Sequence, residues 1–278
     1  MQIGIRLHDT KPVSLEERLE IVKEQGFSCA HVALSKVIQE FPVDNGALTP
    51  GLAMYLKNLF QKKNIDIAVL GCYLNLVHPD PIQLQKIQNT YLAHIRFASI
   101  LGCGVVGTET GAPNAEYQYE PACRSEEALK LFIHNLRPVI AYAEKMGVIL
   151  AIEPVRNHIV YDAKRAKRVL DEIASPNLQI ILDPVNLLGM DNYMMQTQVI
   201  EEAIDLLGEA VSVIHMKDFV VRENALDSVA AGTGELNYKP IIQFIKKRKP
   251  FIHCTLENTV PENAVAAREY IETLFKNA

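Results

Sequence analysis

The 278-residue chain is poor in cysteine, carries no long apolar run and has no basic excess. Its five cysteines, Cys29, Cys72, Cys103, Cys123 and Cys254, are odd in number and widely spaced, with no CxxC pair. That argues against a disulfide framework and against a thiolate-held zinc. No stretch approaches the roughly 18 apolar residues of a membrane helix. The opening MQIGIRLHDTK lacks the basic and apolar regions of a secretory signal. A reduced, cytoplasmic setting is the expectation. With 33 acidic against 28 basic residues, the formal charge is −5. That disfavours a nucleic-acid partner, which calls for clustered cations. The basic run Lys246–Lys249 reads as a solvated helix end, where cations suit the dipole. No linker, low-complexity segment or charge block divides the chain, so one domain over 1–278 is expected. No GxGxxG follows the first apolar run, which speaks against an open dinucleotide-binding sheet.

What the chain does contain is an alternation of short apolar runs and longer amphipathic ones. IGIRL (3–7) is followed by a helix that opens on Ser14 with Glu17 three residues on, a capping-box pattern, and stops at Gly26. CAHVAL (29–34), IDIAVLGCYL (65–74), GVVGTE (104–109), VILAIE (148–153), LQIILD (178–183), VSVIH (211–215) and FIHCTLE (251–257) read as further strands. Helical patterns separate them. Pro138 is expected to kink the fifth, and a long loop is expected after the seventh strand. Eight strand–helix units over this length predict a closed (β/α)8 TIM barrel with parallel strands.

In such a barrel the reactive side chains stand at the C-terminal strand ends, on one rim. Four consecutive runs end in Glu153, Asp183, His215 and Glu257, at spacings of 30, 32 and 42 residues. Any one of these alone reads as a helix cap, a surface charge or a core histidine. Together they place three carboxylates and an imidazole around one mouth, where like charges oppose ionisation unless a cation intervenes. Hard oxygen donors with one nitrogen suit a single divalent ion: Mn, Mg, Co or Zn.

The segments AIEP, ILDPVN, VIHMKD, AGTGELNY and TLEN resemble the sugar phosphate isomerase/epimerase family of xylose isomerase-like TIM barrels. The resemblance runs in order along nearly the whole chain and is strongest over 148–258. It implies a divalent ion held by Glu153, Asp183, His215 and Glu257, the set already reached from spacing. It also implies a sugar or polyol substrate. The three-zinc apurinic endonucleases share this scaffold, but their additional histidine ligands are missing here. Asn186 stands where a nuclease would carry His, and DSVAAGTGE lacks an Asp-x-His pair. Asn186 also departs from the ketose 3-epimerases, which carry a substrate-binding His there.

The expected chemistry is isomerisation or epimerisation through an enediolate, with Glu153 and Glu257 as the proton-transferring carboxylates. An inosose dehydratase-like lyase is the alternative, and a non-catalytic sugar-binding barrel the reading from another class. Asn186, Lys217, Glu109, Arg156, His8 and Arg222 are candidate substrate contacts, Lys217 with the alternative of pairing with Asp218. The loop at 230–234 (AAGTG) is a candidate phosphate cradle, against the reading of an ordinary flexible loop. His253 is expected inside the barrel, Cys72 in packing, Glu235 as a loop cap, while His31 and His78 have no assignment. Exposed loop faces leave a homo-oligomer open, and no residue pattern decides it.

Overall fold

The structure, a computed structural model, describes residues 1–278. In chain order the elements are β1 (Gln2–Arg6), α1 (Leu15–Glu24), β2 (Cys29–Val32), α2 (Leu34–Val37), α3 (Pro50–Lys63), β3 (Asp66–Gly71), α4 (Pro81–Leu101), β4 (Val105–Glu109), α5 (Glu126–Met146) and β5 (Ile149–Glu153). They continue as α6 (Ala163–Ile173), β6 (Leu178–Leu182), α7 (Gln196–Leu207), β7 (Val211–Met216), β8 (Asp218–Arg222), β9 (Ala225–Val229), α8 (Lys239–Arg248), β10 (His253–Leu256) and α9 (Ala264–Asn277). Eight strands close into a barrel in the order β1-β10-β7-β6-β5-β4-β3-β2, every pair parallel. The TIM barrel expected from the alternation is therefore present. No helix is long and apolar enough to cross a membrane.

Local chemistry sets the element ends. Ser14 accepts the Glu17 N–H to start α1, and Asp80 and Asp162 cap α4 and α6 in the same way. Gly102 and Gly147 end α4 and α5 in left-handed conformations. Pro138 lies inside α5, which runs unbroken from 126 to 146. The segment after β7 is more ordered than a loop. β8 and β9 form an antiparallel hairpin, turning through Glu223 and Asn224 at positive φ.

Two cores follow from the two-residue period of the strands. One face of each strand packs against the helices in a 73-residue apolar cluster. The other face fills the barrel with a six-residue plug that includes Cys29, Val69, Ala151, Ile181 and Val213. The plug is why the mouth is polar only at its top: Glu153, Asp183 and His215 each lie two residues beyond a plug residue. Space inside is limiting. A Cβ on Gly107 would stand 2.6 Å from Val69 Cγ1 and 2.7 Å from Ile181 Cδ1. Gly107→Ala is expected to cost about 1–3 kcal/mol through overpacking. The check is the thermal unfolding midpoint, which should fall by several degrees, and an unchanged midpoint would contradict this packing.

Candidate functional site

Seven of the eight barrel strands deliver a polar side chain to the C-terminal mouth. Glu153 closes β5, and Asp183 and Glu257 follow β6 and β10 directly. His215 is the penultimate residue of β7, and Lys217 lies two further on. Arg6, His31 and Glu109 come from β1, β2 and β4. Glu153, Asp183, His215, Lys217 and Glu257 are all buried.

The geometry suits a shared ion. His215 Nδ1 lies 3.3 Å from Glu153 Oε2 and 3.2 Å from Glu257 Oε1. These are ion-pair distances, yet neither ring nitrogen of His215 makes a hydrogen bond. Donors bound about 2.0–2.2 Å from one ion sit about 3.0–3.5 Å from their neighbours, so the spacing matches ligands facing a common centre. One donor atom each from Glu153, Asp183 and His215 lies within 4.8 Å of the others, and the same holds for His31, His215 and Glu257. The residues present therefore fit a divalent ion.

The protein supplies counter-charge of its own. Lys217 Nζ is 2.8 Å from Asp183 Oδ2 and 3.7 Å from Glu257 Oε2, and Arg6 Nη1 is 3.3 Å from Glu257 Oε2. Burial alone would lower the His215 pKa, but Glu257 and Glu153 outweigh it and raise it to about 9. Burial likewise works against the Lys217 ammonium, and Asp183 and Glu257 reverse the balance and hold its pKa above the usual value. For Glu257, burial favours the acid form, but His215, Lys217 and Arg6 prevail and keep it well below the usual carboxylate range.

The candidate contacts divide. His8, Glu109, Asn186 and Lys217 line the mouth cavity of about 500 Å³ together with Glu153 and Glu257. Asn186 is engaged at both ends of its amide: Nδ2 donates to Glu153 Oε1 at 2.6 Å, and Oδ1 accepts from Lys217 Nζ at 2.7 Å. It holds the glutamate and the lysine in register. Lys217 turns to Asp183 rather than to Asp218. The Asp218 carboxylate instead accepts the N–H groups of Gly232 and Leu236. Thr233 and Glu235 N–H are bonded to backbone carbonyls, so four amides of the 232–236 stretch already have partners within the protein. Arg156 is paired with Asp191 and does not line the cavity. Arg222 lies at the hairpin tip, 67% exposed, and is also outside it. His253 is half-buried, with Nε2 3.6 Å from Asp66.

Arg6, His31, Tyr73 and His158 are among the cavity residues with no counterpart in the sequence-based candidates. His31 stacks between Tyr73 and His215, at centroid distances of 5.6 and 5.3 Å. Burial, then the neighbouring His215, lowers its pKa well below 6.5 and keeps the ring neutral. Gly71 makes room for it, since a Cβ there would stand 2.7 Å from His31 Nε2. Position along the strand is the signal that finds two of them: Arg6 and His31 lie two residues beyond Gly4 and Cys29, as Glu153 does beyond Ala151.

Lys217 sits where it opposes an incoming cation electrostatically while compensating the acids. Lys217→Met is expected to destabilise the metal-free protein by about 3–5 kcal/mol, because buried carboxylates lose a partner. The same change should tighten Mn²⁺ binding. Thermal unfolding after chelation and calorimetric Mn²⁺ titration check both, and weaker Mn²⁺ binding by the variant would contradict the arrangement.

Comparison with known proteins agrees with this architecture. Residues 19–275 match the family described as xylose isomerase-like TIM barrel. No curated protein matches the chain. Among solved structures, a D-tagatose 3-epimerase-like protein is 18% identical with a TM-score of 0.76, the match covering 100% of this chain and 98% of that one. The IOLI protein, solved with a bound zinc atom, is 18% identical with a TM-score of 0.73, covering 100% and 96%. D-psicose 3-epimerase from Clostridium cellulolyticum H10, solved with D-tagatose, is 16% identical with a TM-score of 0.71, covering 99% of both chains. At these identities the structural likeness speaks for the fold, and the family match covers almost the whole sequence. The chain belongs to the xylose isomerase-like TIM barrel family.

Proposed function

We propose that residues 1–278 act as one barrel domain, a divalent-metal-dependent isomerase or epimerase of a sugar or polyol in a reducing, cytoplasmic setting. The observation that carries the reading is the convergence of Glu153, Glu257 and His215 at 3.2–3.3 Å, with Asp183 beside them. Glu153, Asp183, His215 and Glu257 would hold one Mn, Mg, Co or Zn ion. A bound ion supplies Lewis-acid stabilisation of the negative charge that develops when a proton leaves the carbon beside a carbonyl. The sugar epimerases among the structural relatives support a carbohydrate as the substrate class.

The chain's own groups do the proton work. Glu153 and Glu257 approach His215 Nδ1 from different strands, β5 and the end of β10, which supports assigning them to two sides of a bound substrate. One removes the α-proton and the other delivers a proton to the opposite face, which inverts the centre. Asn186 orients Glu153 by donating to Oε1, and its own orientation is held by Lys217. His215, Lys217 and Arg6 keep Glu257 ionised against its burial. Glu109 and His8 line the cavity and offer hydrogen-bonding groups to hydroxyls. Single-face transfer would give aldose–ketose isomerisation instead, and departure of a β-hydroxyl would give a dehydratase.

The test is solvent exchange. With Mn²⁺ and a panel of ketoses in D₂O, deuterium should enter the carbon next to the carbonyl. Exchange should stop on chelation and fall by about 10²–10⁴ in Glu153→Gln and Glu257→Gln. Inverted product, aldose, or an unsaturated product distinguishes epimerase, isomerase and lyase. Turnover that persists without metal would reject the reading.

A further inference from the structure

Beside the charged cluster, the mouth carries a group of side chains that the proton-transfer scheme leaves without a task. Glu109 closes β4 and stands in register with Glu153 on β5. Tyr117 comes from the segment between β4 and α5, and His158 from the segment after β5. Glu109 and His158 line the cavity. The three side chains meet. The Tyr117 hydroxyl donates to Glu109 Oε2 at 3.3 Å, and its ring packs on the His158 ring at a centroid distance of 5.2 Å. His158 Nδ1 lies 3.8 Å from the same Glu109 oxygen.

Tyr117 holds its place under backbone strain. Its φ is +57°, in the left-handed region that bulky side chains seldom adopt. Such a conformation persists where the surroundings over-determine it, and strain of this kind gathers at functional sites. Here the surroundings do so. Asn114 grips Gln118 through both ends of its amide, donating from Nδ2 to Gln118 O at 2.8 Å and accepting from Gln118 N at 3.1 Å. Asn75 Nδ2 donates to the carbonyls of Ala112 and Asn114, at 2.8 Å each. The segment is tied on both sides of Tyr117, and the result is a tyrosine pressed against Glu109 and His158.

The two ring nitrogens of His158 differ. Nδ1 is buried, and Glu109 Oε2 is the acidic oxygen that faces it. Nε2 makes no hydrogen bond and is not enclosed, on a residue that lines the cavity. The Nδ1 separation is longer than a hydrogen bond, and the broad χ3 torsion of a glutamate gives the carboxylate room to close it. A carboxylate beside one ring nitrogen keeps the proton there and leaves the other as an acceptor. Burial lowers the His158 pKa to about 4 against the opposing pull of Glu153, so the ring is neutral near pH 7.

We propose that His158 is a specificity-determining residue that accepts a substrate hydroxyl through Nε2, with Glu109 and Tyr117 as the residues that position it. The inference rests on the metal-dependent sugar reading and adds a requirement that the ion does not impose. The substrate must carry a hydroxyl on the Glu153 side of the site, away from Glu257. An analogue without that hydroxyl leaves Nε2 unpaired once the substrate has displaced water, and a site built this way rejects it.

The experiment has two parts. In the ¹⁵N-histidine-labelled, Mg²⁺-loaded protein, NMR reads the tautomer of His158. The expected form is Nδ1–H, with the Nε2 resonance moving when D-fructose is added. In Glu109→Leu the proton should redistribute to Nε2. Calorimetry then compares D-fructose with its 1-, 4-, 5- and 6-deoxy analogues. One of them should bind about tenfold more weakly than D-fructose. That gap should close in His158→Phe, with thermal unfolding confirming the fold. A proton on Nε2 in the unaltered protein, a tautomer unchanged in Glu109→Leu, or a gap that survives in His158→Phe overturns the proposal. Mg²⁺-dependent binding of D-fructose with no gap for any analogue leaves the metal reading intact and rejects the role of His158 alone. Mg²⁺-dependent binding of none of the sugars counts against both.

Discussion

Three carboxylates buried at one barrel mouth must be met by positive charge, and the rest of the site follows from that requirement. Glu153, Asp183 and Glu257 are each 5% exposed or less. Left uncompensated, they would favour protonation or a local loss of packing. The protein answers with three cations of its own, Arg6, Lys217 and a protonated His215, in contact distances of 2.8–3.3 Å. A divalent ion would enter an already balanced cluster. It would take over the carboxylates, require the His215 proton to leave and loosen the hold on Lys217. The same residues can therefore serve a stable metal-free fold and an ion-bound working state.

The barrel makes this arrangement available because its strands are short, parallel and plugged. Cysteine, alanine, valine and isoleucine side chains fill the interior up to one layer below the rim, where a Cβ at Gly107 already collides with two neighbours. The next inward-facing position lies above the plug, at the level of the mouth. Polar groups placed there meet one another across the mouth rather than the apolar plug. Asn186 and Asp218 then act as braces. One ties Glu153 to Lys217, and the other ties the loop after the hairpin to the barrel top.

Much of this was legible from residue order. Alternating apolar runs and capped helices indicated eight units, and four runs ending in acid or histidine marked the mouth. What escaped were residues whose signal is positional rather than chemical. Arg6 inside IGIRL and His31 inside CAHVAL look like interruptions of apolar strands. Only the two-residue period, counted from Gly4 and Cys29, sends them to the same layer as Glu153. The hairpin β8–β9 was hidden because its turn uses Glu223 and Asn224 rather than the glycine that commonly marks such a turn. Arg156 and Arg222 are cations near strand ends in sequence, but Asp191 engages one and the hairpin carries the other, and neither lines the cavity. His158, five residues past Glu153, lines the cavity from a loop whose path no periodicity describes.

The most direct test of the central claim is a crystal structure of the protein soaked in Mn²⁺, with diffraction recorded at the manganese absorption edge. The account predicts one anomalous peak among Glu153, Asp183, His215 and Glu257, with the Lys217 ammonium drawn back from its 2.8 Å contact with Asp183. No peak at the mouth, or a peak bound by other residues while that contact persists, would contradict it.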